Sequence, residues 1–227
     1  MLDSLKVGKL LLAVASENEL EAVFRGLSLD RELIPPSWKS VEFGSVTILH
    51  TGVGKTNAAG AVSRELTLAE GDKSQYSAVL SLGLAGSYDQ NLKLGDLVLG
   101  LDHVLLDEGT ISDGGWVTLE RAGWARTVIR ANQGKLSKKL SKYVEHQGNI
   151  GTVSTISGTD RKMEIYKKRF EVMLEVMESA AIAEVCDKFR VEYVDLRVVS
   201  NYCGARNPTT HDFPKALARL EELVSKL

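Results

Sequence analysis

The sequence predicts an α/β fold. Short apolar runs of strand length alternate with longer mixed segments of helix length, and no internal repeat, low-complexity tract or Pro/Ser-rich linker interrupts them. The chain has 227 residues, 44% hydrophobic and 26% charged, which suits one compact domain over residues 1–227. Six strand-to-helix alternations bury a sheet between two helix layers, a three-layer α/β/α arrangement with ligands expected beyond the carboxyl ends of the strands.

The first strand is read at 9–15 (KLLLAVA). Together with the early lysines it mimics a signal peptide, but its apolar core over 10–15 is short for one and far too short to span a bilayer, so a buried strand is the better reading. A helix follows at 18–27. Pro35 and Pro36 mark a loop before a hairpin around Phe43-Gly44-Ser45, and a strand occupies 45–52. The next segment, TGVGKT, ends like a phosphate-binding loop, yet Leu49 stands where that motif needs its first glycine. It reads as a glycine turn into a helix at 57–69. Strands at 77–86 and 95–106 precede a helix at 136–146, then a strand at 149–157, a helix at 161–169, a strand at 171–177, a helix at 178–189 and a strand at 192–201. The run GARNPTTHDFP reads as a mobile loop placed to cover a ligand, leading into a last helix at 214–226.

A formal charge of -2 gives no broad attraction for nucleic acid or anionic membrane and favours a small-molecule ligand. Cys186 and Cys203 lack CxxC spacing and read as reduced thiols of a cytoplasmic protein. His50, His103, His146 and His211 lack zinc-ligand spacing, so neither metal nor cofactor is expected.

Three polar residues closely follow predicted strands: Glu19, Glu178 and Asn201. Two carboxylates and an amide at one sheet edge suit a reaction that activates water and recognises hydroxyl groups. Each has a plainer reading beside it. An acidic residue in the first turn of a helix complements the helix dipole, and an asparagine ends a strand through an Asx-turn.

The block EVMESAAIAEVCDKFRVEYVDLRVVSN resembles the signature of the nucleoside phosphorylase and nucleosidase superfamily, in which a Met-Glu pair opens a helix and an Arg-x-x-Ser-Asp/Asn segment lies on the next strand. AVASENELEAV, TGVGKTNAA, GLAGSYDQNLKLGDLVL and STISGTD agree with it in order, so the likeness runs from about residue 9 to the last helix. Within the superfamily, TGVGKTNAA, STISGTD and SNYCGAR are similar to the futalosine hydrolases, with the methylthioadenosine/S-adenosylhomocysteine nucleosidases next. The resemblance implies a nucleoside phosphorylase-like fold with a central mixed sheet, and hydrolysis of the N-glycosidic bond of a purine nucleoside on the menaquinone route. It implies that Glu19 activates water, Glu178 accepts from ribose hydroxyls, Met177 packs on the sugar and Asn201 addresses the purine. Gly52, Ala85 and Gly86 would border ribose and base. A homodimer is implied too, with DHVLLDEG and the loop around Phe213 near the sugar 5′ end. The relatives acting on adenosine-type substrates usually carry aspartate where this chain has Asn201.

Phosphorolysis would need cations near the first strand and the glycine turn after the third, yet residues 13–22 and 83–90 contain no Arg or Lys, which favours hydrolysis. A non-catalytic nucleoside-binding module is the alternative outside enzymes. The presence of both Glu19 and Glu178 argues against it.

Overall fold

The computed structural model describes residues 8–131, 134–205 and 210–227. Strand β1 (Leu10–Val14) is buried along its whole length and pairs in parallel with β3 (Val46–His50) on one side and β4 (Ala78–Ser87) on the other. Its side chains alternate between two cores, as strand geometry requires. Leu10, Leu12 and Val14 face a cluster containing helices α1 (Glu17–Gly26) and α6 (Phe213–Lys226), while Leu11 and Ala13 face one containing α2 (Lys55–Gly71) and α5 (Ser179–Phe189). That is why the first apolar run shows no polar alternation, and it is the expected three-layer sandwich.

In α6, Ala216, Leu220, Leu223 and Val224 recur at helical spacing and are all buried. Truncating Leu220, which is wholly buried, to alanine would cost about 2–5 kcal/mol.

The sheet runs β10 (Leu174–Val176), β9 (His146–Thr152), β5 (Leu97–Leu105), β11 (Glu192–Tyr202), β4, β1, β3, β2 (Lys39–Phe43), with β8 (Val128–Arg130) on β5. It is mixed. β11 is parallel to β4 but antiparallel to β5, and β2 is antiparallel to β3 across the Gly44 turn, the hairpin expected there. β10 pairs not only with β9 but also, antiparallel, with β4. Five strands therefore close into a ring, and β10 places the 174–178 segment beside the carboxyl end of β4.

Some predicted boundaries move. The helix expected at 136–146 is only α3 (Lys135–Leu140), because the chain turns at Ser141 so that Glu145 can accept from the N–H of Leu97, and His146 already begins β9. The strand expected at 149–157 ends at Thr152, and the one at 171–177 is three residues long. A second small sheet, β6 (Gly109–Ser112) with β7 (Gly115–Thr118), has no counterpart in the prediction, and neither does β8. α4 (Asp160–Arg169), capped by Thr159, matches its expected place. Of the expected covering loop, residues 206–209 lie outside the described residues. Its far end returns to β11, where Thr210 accepts from the N–H of Tyr202 and the N–H of Asp212 donates to Ser200. No described helix is long and apolar enough to cross a membrane.

Candidate active site

The glycine turn of TGVGKT settles where its lysine goes. Gly52 and Gly54 adopt φ of 83° and 94°, which L-residues rarely hold. Lys55 Nζ is bound by Asp107 Oδ1 and Glu108 Oε1, so the cation is neutralised locally. The backbone N–H of Gly54, at the mouth of α2, donates to Glu178 Oε1 at 2.9 Å. A turn that resembles a phosphate cradle thus holds a carboxylate.

Glu178 is the N-cap residue of α5, yet its side chain makes no capping bond. It turns away from its own helix, taking the Gly54 N–H and, at 3.3 Å, that of Met177. Only 6% of it is exposed. Burial pushes its carboxyl above the ordinary value, and the Arg197 guanidinium, with Nη1 4.0 Å away, pulls it down with less effect.

Glu19 is both a helix cap and a site carboxylate. Ser16 and Glu19 form a reciprocal capping box at the start of α1: the Ser16 N–H donates to Glu19 Oε2 at 3.0 Å and the Glu19 N–H donates back to Ser16 Oγ at 3.4 Å, while the Ser16 hydroxyl also donates to Glu19 Oε2 at 2.6 Å. Glu19 Oε1 accepts from the N–H of Leu84 at 2.7 Å, which ties the helix to the end of β4. At Gly83 a Cβ would lie 2.6 Å from both Glu19 Oε1 and Arg197 Nη1, so glycine is what lets these two groups meet.

Arg197 comes from the interior of β11 and is 1% exposed. Its Nε donates to Asp195 Oδ1 at 2.7 Å, and Nη2 donates to Ser81 and Ser179. Burial alone would lower its pKa, but the surrounding carboxylates, Asp195 first, raise it on balance, so it stays charged between Glu178 and Glu19.

Asn201 lies where the β11–β4 pairing slips between Val199 and Asn201, an irregularity that re-aims the side chain. The strand continues to Tyr202, so Asn201 does not end it. Its Oδ1 accepts from Ser200 Oγ at 2.9 Å and its Nδ2 donates to the Tyr202 carbonyl at 3.2 Å, which leaves one amide N–H.

These elements enclose a cavity of about 340 Å³ at the carboxyl ends of β1, β4, β10 and β11, within the usual range for small-molecule sites. Of the predicted residues, Glu19, Ala85, Gly86, Met177, Glu178, Asn201 and Phe213 line it. Gly52 does not. A Cβ there would meet Ser37 and Asn57, so it faces the protein, and Val53 takes its place on the wall. Sequence reasoning missed Ser16, Ser157 and a third carboxylate, Glu175, all on the lining. The only signal for Glu175 was its position three residues before Glu178. Glu175 accepts from the Ser157 N–H at 2.8 Å, from the Ser157 hydroxyl and from the Tyr88 hydroxyl. Among the described lining residues there is no Lys or Arg.

A mixed α/β sheet whose strand ends bring three carboxylates and an amide to one cavity defines a site for a polar, uncharged or cationic small molecule. The chain belongs to the phosphorylase superfamily, whose family model matches residues 9–227. It is 30% identical over 226 residues to a futalosine hydrolase from Acidothermus cellulolyticus, covering 96% of this chain and 90% of that protein. It is 31% identical over 174 residues to a 5'-methylthioadenosine/S-adenosylhomocysteine nucleosidase from Oceanobacillus iheyensis, covering 74% and 73%. The fold is similar to the native structure of futalosine hydrolase from Helicobacter pylori, with a TM-score of 0.71 at 20% identity, over 97% of this chain and 95% of the other.

Proposed function

We propose that this protein hydrolyses the N-glycosidic bond of a purine nucleoside, with futalosine as substrate and hypoxanthine and dehypoxanthine futalosine as products, in menaquinone biosynthesis. The observation that carries the reading is what the cavity wall presents: three carboxylates and no cation on its described lining, with the cation beside them, Arg197, buried behind Glu178 and Glu19. Glycosidic cleavage develops positive charge on the sugar, which such a lining stabilises. A phosphate co-substrate would be repelled, so phosphorolysis by a purine nucleoside phosphorylase fits poorly.

In this reading Glu19 takes a proton from the attacking water. Its two oxygens are already aimed by Leu84 and Ser16, so the acceptor geometry exists before substrate arrives. Glu178 accepts from the ribose hydroxyls, and Met177 packs against the sugar. Asn201 donates its remaining N–H to the purine as negative charge gathers there. The chain needs no cofactor and works in the cytoplasm as a homodimer. Val53, Ile156 and Phe213, exposed apolar residues on the cavity lining, suit cover by a second subunit.

Activity as a methylthioadenosine/S-adenosylhomocysteine nucleosidase is the second reading, favoured by the Oceanobacillus likeness. Futalosine is preferred because that likeness spans less of the chain, and because Asn201 cannot protonate N7, which adenine as the poorer leaving group needs more. The test is a panel of futalosine, inosine, adenosine and methylthioadenosine with and without phosphate, reading base and sugar products. Free base and free sugar, formed fastest from futalosine and independently of phosphate, are expected. A phosphate requirement, or a kcat/KM for methylthioadenosine that equals or exceeds that for futalosine, overturns the proposal.

A further inference from the structure

Resting on the nucleosidase reading above, we propose that Glu175 is a further residue that selects 6-oxopurines, by accepting the N1–H of the base. Glu175, Gly86 and Asn201 sit side by side across three neighbouring strands: Glu175 is in register with Gly86, and Gly86 with Asn201. A Cβ on Gly86 would lie 3.0 Å from Asn201 Nδ2 and 2.9 Å from Cys203 Sγ. The missing side chain therefore leaves a flat strip with the amide on one side and the carboxylate strand on the other. All three residues line the cavity.

The chemistry of Glu175 is one-sided. Its partners are the Ser157 N–H, the Ser157 hydroxyl, the Tyr88 hydroxyl and the Cys203 thiol, all capable of donating to it. It is 7% exposed, so part of its surface remains open to the cavity, where a carboxylate offers only lone pairs. A 6-oxopurine presents a donor at N1, whereas a 6-aminopurine presents a bare acceptor there. The first makes a charge-assisted hydrogen bond with Glu175. The second sets lone pair against lone pair.

Asn201 does not read N1; its bearing on the preference is the proton it withholds at N7. With its oxygen on Ser200 and one N–H on Tyr202, its remaining N–H serves N7, which both kinds of purine share.

The test is Glu175→Gln, assayed with inosine-type and adenosine-type nucleosides. Glutamine keeps the shape, retains an acceptor for the Ser157 N–H and offers an NH2 that suits the bare N1 of adenine. Its second N–H goes to the Ser157 hydroxyl, which also accepts from the Tyr88 hydroxyl 3.3 Å away. The ratio of kcat/KM for inosine-type over adenosine-type nucleosides is expected to fall about ten- to hundredfold, the scale of one hydrogen bond to a charged group. A merely structural Glu175 lowers both alike and leaves the ratio unchanged. If the parent prefers inosine-type nucleosides and Glu175→Gln keeps that ratio, this proposal fails alone. A parent that cleaves adenosine-type nucleosides equally well overturns the functional reading with it. Should the variant not fold, hypoxanthine labelled with 15N at N1 and bound to the unmodified protein decides. A protected, downfield-shifted N1 proton is expected, and one exchanging with water as in the free base overturns the proposal.

Discussion

Glu19 closes a capping box and faces the cavity, so the plain and the functional readings of that residue hold together. This makes one substitution unusually informative. Glutamine also serves in a capping box, but its NH2 must face either the Ser16 or the Leu84 N–H, so Glu19→Gln should fold with a melting temperature lower by a few degrees, and lose about 10²–10⁴-fold in kcat because the amide cannot take the proton. Base release and a thermal melt on the same sample check both halves. Glu178 behaves differently, since burial raises its pKa and its ionised form destabilises the fold. The sign follows from linkage: the favourable contribution of the neutral carboxyl is complete below the unfolded pKa and is lost as pH rises through the folded one. Glu178→Gln should therefore melt higher than the parent at pH 8, with the gain vanishing below about pH 4.5, while sugar binding and rate both fall. Melts across pH, paired with KM and kcat, test it. Asn201→Asp should move the substrate preference toward adenosine-type nucleosides, read as a ratio of kcat/KM. Glu19 and Glu178 were legible in the sequence because each closely follows a strand, and Asn201 because it stands at the end of an apolar run. Arg197 and Glu175 lie within strand runs, where alternation gives a face but no neighbours. Their partners Ser81 and Tyr88 are 116 and 87 residues away.

At the scale of elements, buried strands and amphipathic helices were readable from period alone, and β1, α1, α5, β11 and α6 sit close to where they were expected. The failures share a cause. β9 and α3 changed length because Leu97 needs an acceptor that Glu145 supplies, a contact invisible to local pattern. β6 and β7 are half-exposed strands of four residues each, too short and too polar for alternation to register. β4 shows how one small residue governs a site. Gly83→Ala would press a methyl group against Glu19 and Arg197 together, both confined by their own hydrogen bonds. It should cost about 1–3 kcal/mol of stability and a large share of kcat, whereas alanine at Gly71, with nothing within 4 Å of the new Cβ, should leave both nearly untouched. Denaturant melts and turnover of the two variants make the comparison.

At the scale of the molecule, light scattering at assay concentration should find a dimer, and an active monomer would remove the subunit cover proposed for the cavity rim. The ring of β4, β11, β5, β9 and β10 has a consequence for how the protein breathes. β10 contributes only three residues, but two of them, Leu174 and Glu175, are paired on both sides, so they cannot separate unless the surrounding sheet opens with them. In hydrogen–deuterium exchange, the amides of 174 and 175 should then outlast those of longer but edge-lying β2, and approach those of β1. The cavity floor and the centre of the sheet would share one opening event, while Val53, Ile156 and Phe213 at the rim exchange early. Substrate would come and go past a quickly exchanging doorway set over a floor as slow as the core itself.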